Sequence, residues 1–172
     1  MNSTLTIEVR SVQQCDLQDL SDILNEIIVI GGSTAYEGVF DAVSFDTTFI
    51  SGDTCVACLV ALVDGRPMGF QAVAFYPTLP EGWVDIGTFA RVTGKVAGVG
   101  TALFTHMREH LAQKCQLSGG VTLLNASIRS DNHQGLSFYT KMGFEDYSID
   151  EAVIFKNGKQ VDRISKKYVL ER

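Results

Sequence analysis

The sequence predicts a single α/β domain spanning residues 1–172, a mixed sheet of about seven strands with helices on both faces. Three observations carry this expectation. A segment with a two-residue hydrophobic period stands near the start of the chain, and strand-sized apolar segments recur through the rest of it. Segments with a helical period separate them. The order runs strand, two helices, antiparallel strands, then strand, loop, helix, strand, helix, strand.

From Thr4 to Arg10, Leu5, Ile7 and Val9 alternate with Thr6, Glu8 and Arg10, the pattern of a half-buried first strand. From Asp16 the spacing changes to Leu17, Leu20, Leu24, Ile27 and Ile28, an amphipathic helical stripe stopped by Gly31 and Gly32. A weaker helix lies between Asp41 and Ser51. Cys55 to Val63 reads as a buried strand, Asp64-Gly65 as a tight turn and Met68 to Tyr76 as the hairpin partner, ended by Pro77 and Pro80. Trp83 to Val92 is the next strand, followed by a glycine-rich loop from Gly94 to Gly100. The helix beyond carries Val99, Leu103, Met107 and Leu111 on one stripe. Val121 to Ile128 is a strand, Asn132 to Lys141 a short helix, Phe144 to Phe155 a strand ended by Asn157-Gly158, and Lys166 to Leu170 a last strand. Repeats and low-complexity segments are absent.

With 172 residues, 45% of them hydrophobic and 20% charged, the chain is long enough for one packed core. A net charge of -6 without clustered Lys and Arg is the wrong footprint for a phosphate backbone, so nucleic acid is not an expected partner. No window approaches the roughly 20 apolar residues of a membrane span, and the N-terminal residues lack the pattern of a secretory signal. Cysteines at 15, 55, 58 and 115 therefore predict free thiols in a cytoplasmic protein.

The stretch Lys95-Val96-Ala97-Gly98-Val99-Gly100-Thr101 lies between a strand and a helix, where free backbone N–H groups and the positive end of the helix dipole are able to cradle a pyrophosphate. Taken alone, a Gly-x-Gly turn is also a common packing solution. The Walker pattern is absent, and Leu103 occupies the place of a third Rossmann glycine. A second patch, Asn132-His133-Gln134-Gly135-Leu136-Ser137-Phe138-Tyr139 with Gly143-Phe144, narrows the reading. With both patches in this order the chain resembles the GNAT acyltransferase superfamily. That family's glycine loop, Arg/Gln-x-x-Gly-x-Gly/Ala, is matched by Lys95, Gly98 and Gly100. Its later motif, Asn-x-x-Ala-x-x-Phe-Tyr-x-x-x-Gly-Phe, is matched by Asn132, Phe138, Tyr139, Gly143 and Phe144, with Gly135 in place of alanine. The resemblance covers nearly the whole chain. The Ile23 to Glu37 region and the later spacing are similar to phosphinothricin-type and L-amino acid N-acyltransferases.

The resemblance implies an acetyl-CoA-dependent N-acetyltransferase, with acetyl-CoA as cosubstrate, no metal, and a small-molecule amine as acceptor. Attack on a thioester needs an uncharged amine, so a carboxylate base or a water chain is called for. Asp85, thirteen residues before Gly98, stands where the phosphinothricin-type enzymes carry a glutamate; the shorter side chain implies a relaying water, and the other reading is a turn-forming Asp. Tyr139 is read as the acid for the leaving thiolate, with aromatic packing as its other role. By the same resemblance the strand backbone at Phe89, Ala90 and Arg91 meets the oxyanion and the pantetheine arm. The segment from Lys95 through Val96, Ala97, Gly98, Val99, Gly100 and Thr101 takes the pyrophosphate, and Asn125, Asn132 and Phe138 complete the cosubstrate site. Tyr36, Glu37 and Trp83 are placed to shape the acceptor pocket or to pack. Likeness to dimeric relatives implies a homodimer through Val153 to Phe155 and Tyr168 to Leu170.

Two other patterns carry less. His106-x-x-Glu109-His110 has the spacing of an inverted zinc-protease motif, on a helix face expected to be solvated. Cys55-x-x-Cys58 lies in a strand, where residues three apart point to opposite faces. The rivals are a non-catalytic acyl-CoA-binding domain and a nucleotide-binding oxidoreductase; turnover with amines excludes the first, and affinity for CoA over a dinucleotide excludes the second.

Overall fold

The computed structural model describes residues 5–118 and 120–170, with the backbone alone at residues 115–118. The expected strand start at Thr4 and the thiol of Cys115 lie outside that description. β1 (Ile7–Ser11) leads through a 3-10 turn, Gln14–Asp16, into α1 (Leu17–Ile30). Asp16, 3% exposed, anchors this junction with a two-pronged bond from Arg10 (2.7 and 2.9 Å). Gly31, at φ 76°, ends the helix. α2 (Ala42–Phe49) starts at Asp41 and Ser44, which bond each other's backbone N–H.

β2 (Cys55–Val63) and β3 (Arg66–Ala74) form the predicted hairpin around Asp64 and Gly65, both at positive φ. Next come β4 (Trp83–Ala90), α3 (Val99–Ser118), β5 (Leu123–Arg129), α4 (His133–Lys141), β6 (Glu145–Ile154) and β7 (Gln160–Val169). The seven strands make one sheet in the order β1-β2-β3-β4-β5-β7-β6, parallel only between β4 and β5.

Helices cover both faces. On one, Val99, Leu103, Met107 and Leu111 of α3 and Tyr139 of α4 pack on Val84, Ile86, Leu124 and Ala126. On the other, Leu20, Ile23 and Leu24 of α1 and Phe45 of α2 pack on Val60, Phe70 and Phe89. This second cluster draws only on β2, β3 and β4 among the strands, so α1 and α2 leave the same face of β5, β7 and β6 uncovered.

Two expectations change. The last strand begins at Gln160 rather than Lys166, because pairing with both β5 and β6 holds residues whose sequence alternates poorly. The thiols of Cys55 and Cys58 do not face opposite sides. A β-bulge between Cys55 and Ala57 turns both Val56 and Ala57 toward the α3 side, so Cys55, whose Sγ donates to Thr48 O (3.3 Å), shares the α2 side with buried Cys58. Cys15, Cys55 and Cys58 are free thiols. No described helix is long and apolar enough to cross a membrane.

Candidate active site

The site begins where two strands part. β3 pairs with β4 as far as Ala90, whereas β5 pairs with β4 only through Trp83, Val84 and Asp85. Beyond Asp85 the β4 edge is open. Arg91 N–H donates to Met68 O (2.9 Å), so by antiparallel alternation Phe89 N–H points to β3 as well and Ala90 N–H points into the gap. A cavity of about 380 Å³ fills this gap. Of the residues expected to hold the cosubstrate, Phe89, Ala90, Arg91, Lys95, Val96, Ala97, Gly98, Val99, Gly100, Thr101, Asn132 and Phe138 line it, and Tyr139 lines it too.

The glycine loop fits a phosphate. Ala102 N–H donates to Gly98 O (2.9 Å), closing the first turn of α3 and leaving the N–H groups of Val99, Gly100 and Thr101 without a helical carbonyl to meet. Gly98 sits at φ +88°, and a Cβ on Gly100 would stand 2.9 Å from the Phe138 ring. Exposed Lys95 adds a positive charge. Asn132 caps α4 through Gly135 N–H (2.9 Å) and donates to Ser33 O (3.2 Å). A Cβ at residue 135 would lie 2.5 Å from Asn132 Nδ2.

Tyr139, 6% exposed, lies under the gap. Its hydroxyl donates to Ile86 O (3.3 Å) and shares a 2.9 Å bond with Thr88 Oγ1, which also accepts from Gln71 Nε2 (2.8 Å). Burial pushes the phenol well above its ordinary range, and Thr88 opposes the shift.

Asp85 and Asn125 lie off this cavity, paired across β4 and β5 on the α1 side of the sheet. Asn125 Nδ2 donates to Asp85 Oδ1 (2.6 Å) and the Tyr147 hydroxyl donates to Asn125 Oδ1, so the Asn125 amide serves Asp85 and Tyr147. Burial raises the Asp85 carboxyl to about 6, against the Asn125 bond and the charge of Arg163. Gly87, two residues and about 7 Å further along the strand, lines the cavity on the same side as Asp85. A Cβ there would stand 2.8 Å from the Phe89 ring. Burial raises the phenols of Tyr36 and Tyr76, and the charge of nearby Asp85 adds to both shifts. Trp83 meets the Tyr147 ring edge-on at 5.5 Å. Glu37 accepts from Lys156 N–H (2.9 Å), tying the loop after α1 to the β6–β7 turn.

Read from the residues upward, this is a helix start with free N–H groups, an open strand edge with Ala90 N–H aimed into it, a buried phenol and a carboxylate able to change charge near neutral pH. A model of the acetyltransferase (GNAT) family matches residues 21–144. The chain belongs to the acetyltransferase (GNAT) family. No curated protein matches this acetyltransferase at the level of sequence. Among solved structures it is similar to a ribosomal-protein-alanine N-acetyltransferase from Brucella melitensis, with TM-score 0.80 and 18% identity over 95% of this chain and 99% of that one. An N-acetyltransferase from Staphylococcus aureus Mu50 matches with TM-score 0.83 and 15% identity, over 96% and 99%. A GNAT superfamily phosphinothricin acetyltransferase from Sinorhizobium meliloti, in complex with acetyl-CoA, matches with TM-score 0.79 and 18% identity, over 96% and 89%.

Sequence reasoning passed over Gln71, Thr88, Tyr147 and Arg163 in the acetyltransferase. Gln71 alone carried a signal, as a lone polar side chain in an apolar strand. His106 is exposed with Nδ1 on Ala102 O (2.9 Å), and no group of three or more His, Cys, Asp or Glu among the described residues is placed to hold a metal.

Proposed function

We propose that this acetyltransferase moves the acetyl group of acetyl-CoA directly to the amino group of a small amino acid or analogue within a ternary complex. The observation that carries the reading is the open edge of β4 beyond Asp85, where a cavity lined by the free N–H groups at the start of α3 lies against the strand that carries Asp85. Acetyl-CoA supplies the activated acyl group. The N–H groups at the start of α3 and the charge of Lys95 fit its pyrophosphate. Ala90 N–H is aimed to stabilise an oxyanion. Asp85, ionised above pH about 6, accepts the amine proton directly or through one water. Tyr139 holds a proton for the leaving sulfur.

An anionic group on the acceptor is supported by Arg163. It lies on the uncovered face, half-buried, close enough to Asp85 to lower its pKa. Among the described residues it makes no ion pair, although Asp150 stands opposite in register. An α-amino acid offers an amine to Asp85 and a carboxylate to this guanidinium. The test is CoA release from acetyl-CoA with L-amino acids and with the same amines lacking the carboxylate. The amino acids are expected to turn over faster, and Arg163→Ala to raise their KM about 10-fold or more while leaving the neutral amines unchanged. Equal use of both sets would reject the amino acid class; CoA binding without turnover of any amine would reject transfer to small amines.

We also propose a homodimer. Phe155 and Tyr168, expected at its interface, instead pack inside the chain, against Arg129 and against Phe104 and Phe144. The apolar side chains left exposed on the β6 edge are Tyr147, Ile149 and Ile154.

A further inference from the structure

We propose that Gln71 and Thr88 form a buried relay that stabilises the Tyr139 phenolate at the moment its proton leaves, so that both are positioning residues for the departure of the thiol. The inference rests on the reading of Tyr139 as the acid of acyl transfer. Gln71 is fully buried in β3, and its amide donates to Thr88 Oγ1 at 2.8 Å. That bond occupies an acceptor position of the Thr88 hydroxyl and directs its proton to Tyr139 Oη, 2.9 Å away. Tyr139 in turn aims its own proton elsewhere, in this structure at Ile86 O. Every donor in the chain then points toward the phenol oxygen, the arrangement that favours an anion there. Gln71 Oε1 has no hydrogen-bond partner among the described residues. A buried amide left half-satisfied is a stability cost that a core of this kind ordinarily avoids, and it singles Gln71 out as a residue whose donor end does the useful chemistry.

In the step itself the acceptor nitrogen bonds to the acyl carbon and gives its proton to Asp85. The carbon–sulfur bond breaks with its electron pair on sulfur. Tyr139 Oη gives its proton to that sulfur, and its phenolate is held by the Thr88 hydroxyl until Asp85 releases the amine proton to solvent and a proton returns from solvent to the phenol. Because the relay concerns the leaving group, it operates whatever the nucleophile.

The experiment measures CoA release from acetyl-CoA, with L-amino acids and with water alone as acceptor, in Tyr139→Phe, Thr88→Val, Thr88→Ser, Gln71→Leu and the Tyr139→Phe/Thr88→Val double variant. Thr88→Val should lower kcat about 10- to 100-fold with KM for acetyl-CoA unchanged, and Gln71→Leu about 3- to 10-fold. Thr88→Ser should recover most of the rate. In the Tyr139→Phe background Thr88→Val should cost less than about twofold, since its target is gone. Independently of turnover, the carbon-13 resonance of Tyr139 Cζ, assigned by its absence from Tyr139→Phe, should move in Thr88→Val and Gln71→Leu and return in Thr88→Ser. If Tyr139→Phe costs less than about tenfold, the acid reading falls and the relay with it. If Tyr139→Phe is severe while Thr88→Val costs the same in both backgrounds, or leaves the Cζ resonance in place, the relay alone is overturned.

Discussion

Asp85 is the residue at which function and stability pull apart. Its folded pKa of about 6 lies above the ordinary 3.8 because burial disfavours the charge. Between those values the folded state holds the proton more tightly than the unfolded state does, so the group's contribution is present at acid pH and lost as pH rises through 6. Asp85→Asn is therefore expected to gain about 1–3 kcal/mol of stability at pH 7–8. The same variant should lose the limb of kcat/KM that rises through pH about 6 and lose about 100-fold in rate. Denaturant titrations and a pH–rate profile check the two halves; an unchanged profile would transfer the base role to water.

At the scale of elements, the junction between β1 and α1 depends on an ion pair and the glycine loop on a close approach. Arg10 holds the Asp16 carboxyl below its usual range, so this stabilisation is present at neutral pH and is lost on acidification through the folded pKa. Asp16→Asn should cost about 1–3 kcal/mol at pH 7 and progressively less as the pH falls through the folded pKa, read from urea midpoints at neutral and acid pH. In the loop, a side chain on Gly100 must displace Phe138, which lies 2.9 Å from the position of a Cβ. Gly100→Val is expected to abolish the rise in melting temperature that CoA gives the wild type while keeping the far-ultraviolet spectrum. A retained rise would mean that the pyrophosphate binds elsewhere.

For the whole molecule, the outstanding surface feature is the edge strand β6, with Ile149 and Ile154 61% and 67% exposed. The unpaired edge of β6 sets these isoleucines among Glu145, Asp146, Asp150 and Glu151, and the proposed dimer buries the isoleucines against a second copy of the same strand. Light scattering at micromolar concentration is expected to give a dimer mass, and Ile149→Lys a monomer; a wild-type monomer would remove the proposal.

Periodicity by itself determined the element order, because a half-buried strand or helix must repeat its apolar residues along the covered face. Ile7 and Val9 of the first strand and the stripe Val99, Leu103, Met107 and Leu111 therefore stand where the pattern put them. Local backbone chemistry determined the glycine loop for the same reason, since left-handed or closely approached positions select glycine wherever they occur. Partnership is not local. Whether Asn125 meets cosubstrate or Asp85 was decided by the register of β4 against β5, and the two thiols of β2 share a face because of a bulge that no spacing rule contains. Gln71, Thr88 and Tyr139 lie on three separate elements, and Arg163 reaches the neighbourhood of Asp85 only because β7 inserts between β5 and β6. Such contacts depend on strand order and on the splaying of β4 from β5. Those are set by the packing of α1 and α2 on one face and of α3 and α4 on the other, a balance that no single segment of sequence carries.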